Sequence, residues 1–223
     1  MSKNSLVTEL KDAYNKSREI FTDARNKNNN LSDINSLNQN QHIAHGLAWY
    51  ATYVESLLQL SKWIEYLEAN NRLTDLEVGI AGVGAGEYCL QIMHGIPMSQ
   101  NETIRPEELG IPNEKIEEFK KITKSLTQRS TSFEKNRVMS ILQQSIESGI
   151  QPDDGLDETY QEIKNQFKRF VNDEITPHAH EWHMNDDYIP LEIIKKMSEL
   201  GVFGLTIPEE YGGLGLEKKA MCI

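Results

Sequence analysis

At 223 residues the chain is long enough for one large domain or two ordinary ones, and its 38% hydrophobic and 26% charged content supports a packed core rather than disorder. A formal net charge of -11 repels nucleic-acid phosphates and anionic membrane surfaces, and no Lys/Arg cluster reverses it locally, which argues against nucleic acid and membrane as partners. Two cysteines, Cys89 and Cys222, build no disulfide framework and no CxxC or Cys/His metal array; with no signal-peptide pattern and no run of about 18 apolar residues, a cytoplasmic location is expected.

Apolar residues recur at intervals of three and four along most of the chain, which predicts an all-α protein. Leu6, Leu10, Tyr14 and Phe21 mark a first amphipathic helix, stopped by the run from Asn26 to Asn30. Leu47, Tyr50, Val54, Leu57, Ile64 and Leu67 predict one long helix over residues 36–70 with a wide face that needs cover. A third helix opens at Thr74 with Glu77 as its capping box and ends at Gly95-Ile96-Pro97, because proline disfavours helix in the residue before it. MSQNETIRPEELGIP predicts an irregular connection, and residues 113–148 a fourth helix.

Glycine, proline and paired aspartates at residues 149–156 predict a domain boundary, giving a helical extension over 1–150 and a second helical part over 151–223. Beyond it, Tyr160, Ile163, Phe167, Phe170 and Val171 predict a helix ending near Ile175, before Pro177. A shorter one runs through Leu191, Ile194, Met197 and Leu200 to Gly201.

Few local constellations suggest chemistry. Gly79, Gly82, Gly84 and Gly86 follow no strand and match no phosphate-loop pattern; Gly79, Gly82 and Gly86 fall at helical spacing, and the favoured reading is a bare helix face that lets another helix approach. His178, His180 and His183 form a candidate metal cluster with Glu181, and His42 and His45 a second pair, but HExxH is absent and no third ligand set follows from spacing. A solvated helix end is the favoured reading, and no metal-binding residue is assigned. Asp153/Asp154, Asp186/Asp187 and Glu209/Glu210 are pairs of the kind that are usually solvated. No nucleophile elbow is present.

The final third is more specific. Pro177, Ala179, Glu181 and Trp182 form a Pro-x-Ala-x-Glu-Trp turn, Leu200 to Gly204 a Leu-Gly-hydrophobic-hydrophobic-Gly helix end, and Pro208 to Gly215 a Pro-Glu-Glu-Tyr-Gly-Gly-x-Gly loop. Three such elements in this order resemble the opening helices of the acyl-CoA dehydrogenase family. HGLAWYATYVESLLQLSKW and GEYCLQIMHGIPMSQNETIRP resemble an amino-terminal extension carried by only some members, notably the subfamily that oxidises methylsuccinyl-CoA to mesaconyl-CoA in the ethylmalonyl-CoA route of carbon assimilation.

The resemblance implies an FAD-dependent α,β-dehydrogenation of an acyl-CoA thioester. A glutamate takes the proton beside the thioester and the β-hydrogen leaves as hydride, with an electron-transfer flavoprotein as electron acceptor and a homo-oligomer as the expected assembly. It also implies that the middle β-barrel, most flavin contacts and the catalytic glutamate lie downstream of Ile223. No catalytic or cofactor-binding residue is therefore carried over, and these residues alone are expected to be inactive and not to hold FAD. Glu209 and Glu210 belong to the loop motif and are not the base. Tyr211, Gly212, Gly213 and Gly215 are the candidates for lining the acyl pocket, against the favoured reading of a tight inter-helix turn. Two rivals remain, a non-catalytic helical assembly module and, last, a metal protein built on His178, His180 and His183.

Overall fold

The structure, a computed structural model, describes residues 3–223. It divides into two compact units, Met1–Gly155 and Leu156–Ile223. Both are helical, and among the described residues strand is confined to one pair of two-residue segments, so the fold is all-α.

In the first unit, α1 (Lys3–Lys27) points Leu6, Leu10, Ala13 and Ile20 inward, all fully buried. Ser17 shares that face and donates its hydroxyl to the Tyr14 carbonyl at 3.0 Å, so its polar group is satisfied within the helix. The stripe packs on α3 (Gln41–Ala69), whose Tyr50, Leu57, Ile64 and Leu67 are buried. Phe21 stacks on Tyr50 with ring centroids 5.9 Å apart. Each such side chain contributes about 1.5–3 kcal/mol by leaving water, which is what makes these two long helices mutually dependent.

The predicted helix over 36–70 is in fact two. Asn40 leaves helical geometry (φ -125°, ψ 36°), and its carboxamide donates to the Ser36 carbonyl at 2.9 Å. Asparagine thus competes for a backbone acceptor and separates α2 (Ile34–Gln39) from α3. α4 (Asp75–His94) opens as expected, with the Leu76 N–H donating to the Thr74 hydroxyl oxygen at 3.2 Å and the Thr74 N–H to Glu77 Oε2 at 3.0 Å.

The predicted irregular connection contains a small antiparallel pair, β1 (Ile96–Pro97) and β2 (Thr103–Ile104), with Ile96 opposite Ile104 and both buried. Two-residue strands give no periodicity, so this pairing leaves no trace in the pattern. The predicted helix over 113–148 is three: α5 (Asn113–Ile122), α6 (Lys124–Gln128) and α7 (Ser132–Glu147). Thr123 is buried and its hydroxyl donates to the Phe119 carbonyl at 2.8 Å, marking the first break. Thr131, extended at ψ 156°, caps α7 by accepting from the Glu134 N–H at 3.4 Å.

Gly79, Gly82 and Gly86 form the bare face of α4. A Cβ at Gly79 would lie 2.6 Å from Val138 Cγ2, and at Gly86 2.5 Å from the Leu126 carbonyl oxygen, so α7 and α6 approach against missing side chains.

In the second unit, Asp157 caps α8 (Glu158–Phe170), accepting from the Tyr160 N–H at 3.0 Å. The helix does not stop near Ile175. It passes through one wider π turn (Val171–Ile175) into α9 (Thr176–Met184), with Pro177 in the first turn of α9. A π turn shifts the hydrogen-bond register where proline offers no N–H, so Pro177 is accommodated rather than terminating. α10 (Leu191–Glu199) follows, and Gly201 at φ 79° ends it. Lys196 pairs with Glu174 at 2.7 Å, and the Lys219 ammonium sits 5.0 Å from the centre of the Tyr160 ring.

Candidate functional site

The glycine-rich segment after α10 folds back on itself through its backbone. The Leu214 N–H donates to the Gly204 carbonyl at 2.9 Å, Gly215 to Ile207 at 2.8 Å and Leu216 to Leu205 at 2.8 Å. Tyr211 and Gly213 both donate to the Pro208 carbonyl, at 3.0 and 3.2 Å. Leu205 is buried beneath, anchoring the return.

That return explains the residue types. Gly212 adopts φ 82° with open space around it, whereas a Cβ at Gly213 would lie 2.1 Å from the Ile207 carbonyl oxygen. The amide groups named above are spent inside the loop, so none of them is a free oxyanion donor. What the loop offers outward is the Tyr211 ring, 76% exposed, beside a nearly bare backbone, flanked by exposed Glu209 and Glu210. Such a surface suits close approach by another surface or ligand more than proton transfer.

A second feature is a hollow of about 440 Å³ between α9 and α10, lined by Ala179, Trp182, His183, Asp186, Ile193 and Met197 among others. The sequence reading did not single it out, although Ile175, Ala179 and Trp182, with Ile193 and Met197, repeat at helical spacing. Its polar rim is acidic, from Asp186 and Asp187. A flavin diphosphate needs cations or converging N–H donors. The rim supplies the opposite charge, so the hollow does not fit FAD.

The histidines do not converge. His178, His180 and His183 are exposed on α9, and His178 stacks on Trp182 at 5.6 Å. His45 Nε2 accepts from the Trp49 indole N–H at 2.9 Å, and His42 lies 3.4 Å from Glu108. Among the described residues no three His, Cys, Asp or Glu side chains gather as a metal site. No helix among them is long and apolar enough to cross a membrane.

Among the described residues, the buried polar side chains lie in the first unit. Burial pushes the Cys89 thiol up to about 12, with a hydrogen bond to Thr123 pulling the other way. It also raises Tyr50, whose hydroxyl has no hydrogen-bond partner among the described residues. Neither group is placed for acid–base work near neutral pH.

Comparison with known proteins complements this geometry. Residues 157–223 match the family model described as acyl-CoA dehydrogenase, N-terminal domain. Over 98% of its length the chain is 38% identical to (2S)-methylsuccinyl-CoA dehydrogenase of Cereibacter sphaeroides, covering 40% of that protein. A stretch of 67 residues is 40% identical to glutaryl-CoA dehydrogenase of Desulfococcus multivorans, and one of 68 residues is 37% identical to the mitochondrial isovaleryl-CoA dehydrogenase of Arabidopsis thaliana; each covers 30% of this chain and 17% of the relative. The resemblance to acyl-CoA dehydrogenases therefore holds for the second unit, and the resemblance to the methylsuccinyl-CoA enzyme spans both units. The chain spans less than half the length of each of these relatives.

Proposed function

We propose that these residues form the amino-terminal helical part of an FAD-dependent acyl-CoA dehydrogenase, whose reaction is α,β-dehydrogenation of an acyl-CoA thioester with methylsuccinyl-CoA as substrate and mesaconyl-CoA as product. The observation that carries this is the 38% identity running through the first unit as well as the second. A match confined to the second unit supports only the broad class; continuous similarity through the extension supports the narrower one. In this reading residues 1–150, which lie within the first unit, are the extension, and residues 151–223 are the opening helices of the dehydrogenase amino-terminal domain.

The division of labour follows from the chemistry of the side chains present. Neither the loop nor the hollow offers a cradle for a diphosphate, and the carboxylates that line the hollow, Asp186 and Asp187, are exposed rather than enclosed as removal of a weakly acidic proton requires. These residues supply scaffold, with FAD, the base and electron-transfer flavoprotein as partners of the rest of the polypeptide. Tyr211, Gly212, Gly213 and Gly215 supply one wall of the acyl pocket; the support is the outward ring and bare backbone of that loop.

The test is a panel of methylsuccinyl-, glutaryl-, isovaleryl- and butyryl-CoA offered to the full-length polypeptide with an artificial electron acceptor. Methylsuccinyl-CoA is expected to give the highest kcat/KM. A higher value for another thioester overturns the substrate assignment, and no oxidation of any overturns the class.

A further inference from the structure

Residues 150–155 have the composition of a loose linker, yet one residue in them has all its polar groups engaged. The Asp153 carboxylate takes a fork from Arg72, Nε to Oδ2 at 2.7 Å and Nη2 to Oδ1 at 2.6 Å. The Asp153 N–H donates to Glu77 Oε1 at 2.9 Å, and its carbonyl accepts from the Trp63 indole N–H at 3.0 Å. Planar guanidinium on carboxylate fixes orientation as well as distance.

The next turn of chain is fitted to the same surface. The Gly155 N–H donates to Asp153 Oδ1 at 2.9 Å, and its φ is 68°. A Cβ there would lie 2.7 Å from Trp63 Cδ1, so only glycine rests on the indole face in this way. Glu77 is 2% exposed and its other oxygen caps α4, so it is held in place whether or not the segment is bound.

We infer that residues 150–155 are a latched strap rather than a flexible tether: Arg72, Glu77 and Trp63 form a preformed receptor for Asp153 that fixes where the chain leaves the first unit. The latch has two states. When closed, Asp153 is bound; when open, the strap peels away while Glu77 keeps its cap and the core stays packed. Arg72 is 36% exposed at its side chain and Asp153 23%, so opening requires no unfolding of the helices beneath. The inference does not depend on the enzymatic assignment, because it rests on contacts within the first unit.

The experiment is amide hydrogen exchange resolved at Asp153 and Gly155 in this chain, in Arg72→Ala and in Trp63→Phe, with far-UV circular dichroism of each. Both amides are expected to be protected in the parent chain. Arg72→Ala should accelerate their exchange by about tenfold or more without loss of helix, given the strength of bonds to charged groups. Trp63→Phe keeps an aromatic ring but removes the indole N–H together with the five-membered edge on which Gly155 rests, and should accelerate it by several-fold. Exchange at the rate of an unstructured peptide in the parent chain overturns the latch, as does unchanged protection in both variants. Should Arg72→Ala lose helix, Trp63→Phe alone decides.

Discussion

Two glycines on α4 should respond in opposite directions to the same substitution. Alanine is favoured over glycine in a helix interior by about 1 kcal/mol, and Gly84 has room to collect it, since its added Cβ meets nothing nearer than Leu60 Cδ1 at 3.9 Å. Gly86 does not. There the Cβ would sit 2.5 Å from the Leu126 carbonyl oxygen and 2.9 Å from Ser130 Cβ, and the first of these is backbone that cannot swing aside. Overpacking of this kind costs about 1–3 kcal/mol, and forcing α6 away from α4 puts the figure at the upper end. Net of propensity, Gly86→Ala should destabilise the first unit by about 2 kcal/mol, while Gly84→Ala should stabilise it by about 1 kcal/mol. Urea denaturation followed by circular dichroism at 222 nm measures both. A Gly86→Ala chain as stable as its parent would refute the close approach of the two helices.

Burial pushes Glu77 up, but the Thr74 hydroxyl and the N–H groups of Asp153, Glu77 and Thr74 together hold its carboxyl below the ordinary 4.5. With the folded value depressed, its stabilisation is complete above that pH and is lost as pH falls through the folded value. Glu77→Gln should therefore cost about 2 kcal/mol at pH 7 and progressively less in acid; an equal cost at pH 7 and pH 3 contradicts this. A thiol reagent should label exposed Cys222 in the native chain and reach Cys89 only on unfolding, because Cys89 is fully buried and its thiol is raised to about 12; equal native rates sink the prediction. On the proposed function, Tyr211→Ala in the full-length polypeptide should raise KM for methylsuccinyl-CoA by roughly tenfold, the scale of a lost apolar pocket contact, and an unchanged KM removes Tyr211 from the proposed pocket.

Long periodic helices were legible in the sequence because a buried stripe must be spaced by the helical repeat, as Leu6 and Leu10 are; Tyr14 and Phe21, read as part of that stripe, are only partly buried, and Ala13 and Ile20 take the buried places beside them. The capping box at Thr74 and Glu77 was legible for the same reason, as local geometry with a local signature. Interruptions were harder. Thr131 with Glu134 carries the same signature and went unread inside an apparently continuous helix, although Ser130 and Ser132 flank Thr131. The Asn40 break and the passage of the helix through Pro177 depend on which backbone groups find partners, and periodicity does not report that. Of the candidate site, glycine-rich composition announced a turn, but the clash that fixes Gly213 comes from the Ile207 carbonyl six residues earlier. The grip on Asp153 was invisible because Trp63, Arg72 and Glu77 come from 76 to 90 residues away.

The direct test is to saturate two purified proteins with FAD, this chain and the full-length polypeptide that contains it, desalt both, and add methylsuccinyl-CoA without oxygen. The full-length protein should keep its visible flavin bands and lose them on adding the thioester, while the chain should keep none. A full-length protein that holds no flavin, or whose flavin is not bleached, contradicts the assignment, and flavin bands retained by the chain contradict its role as scaffold.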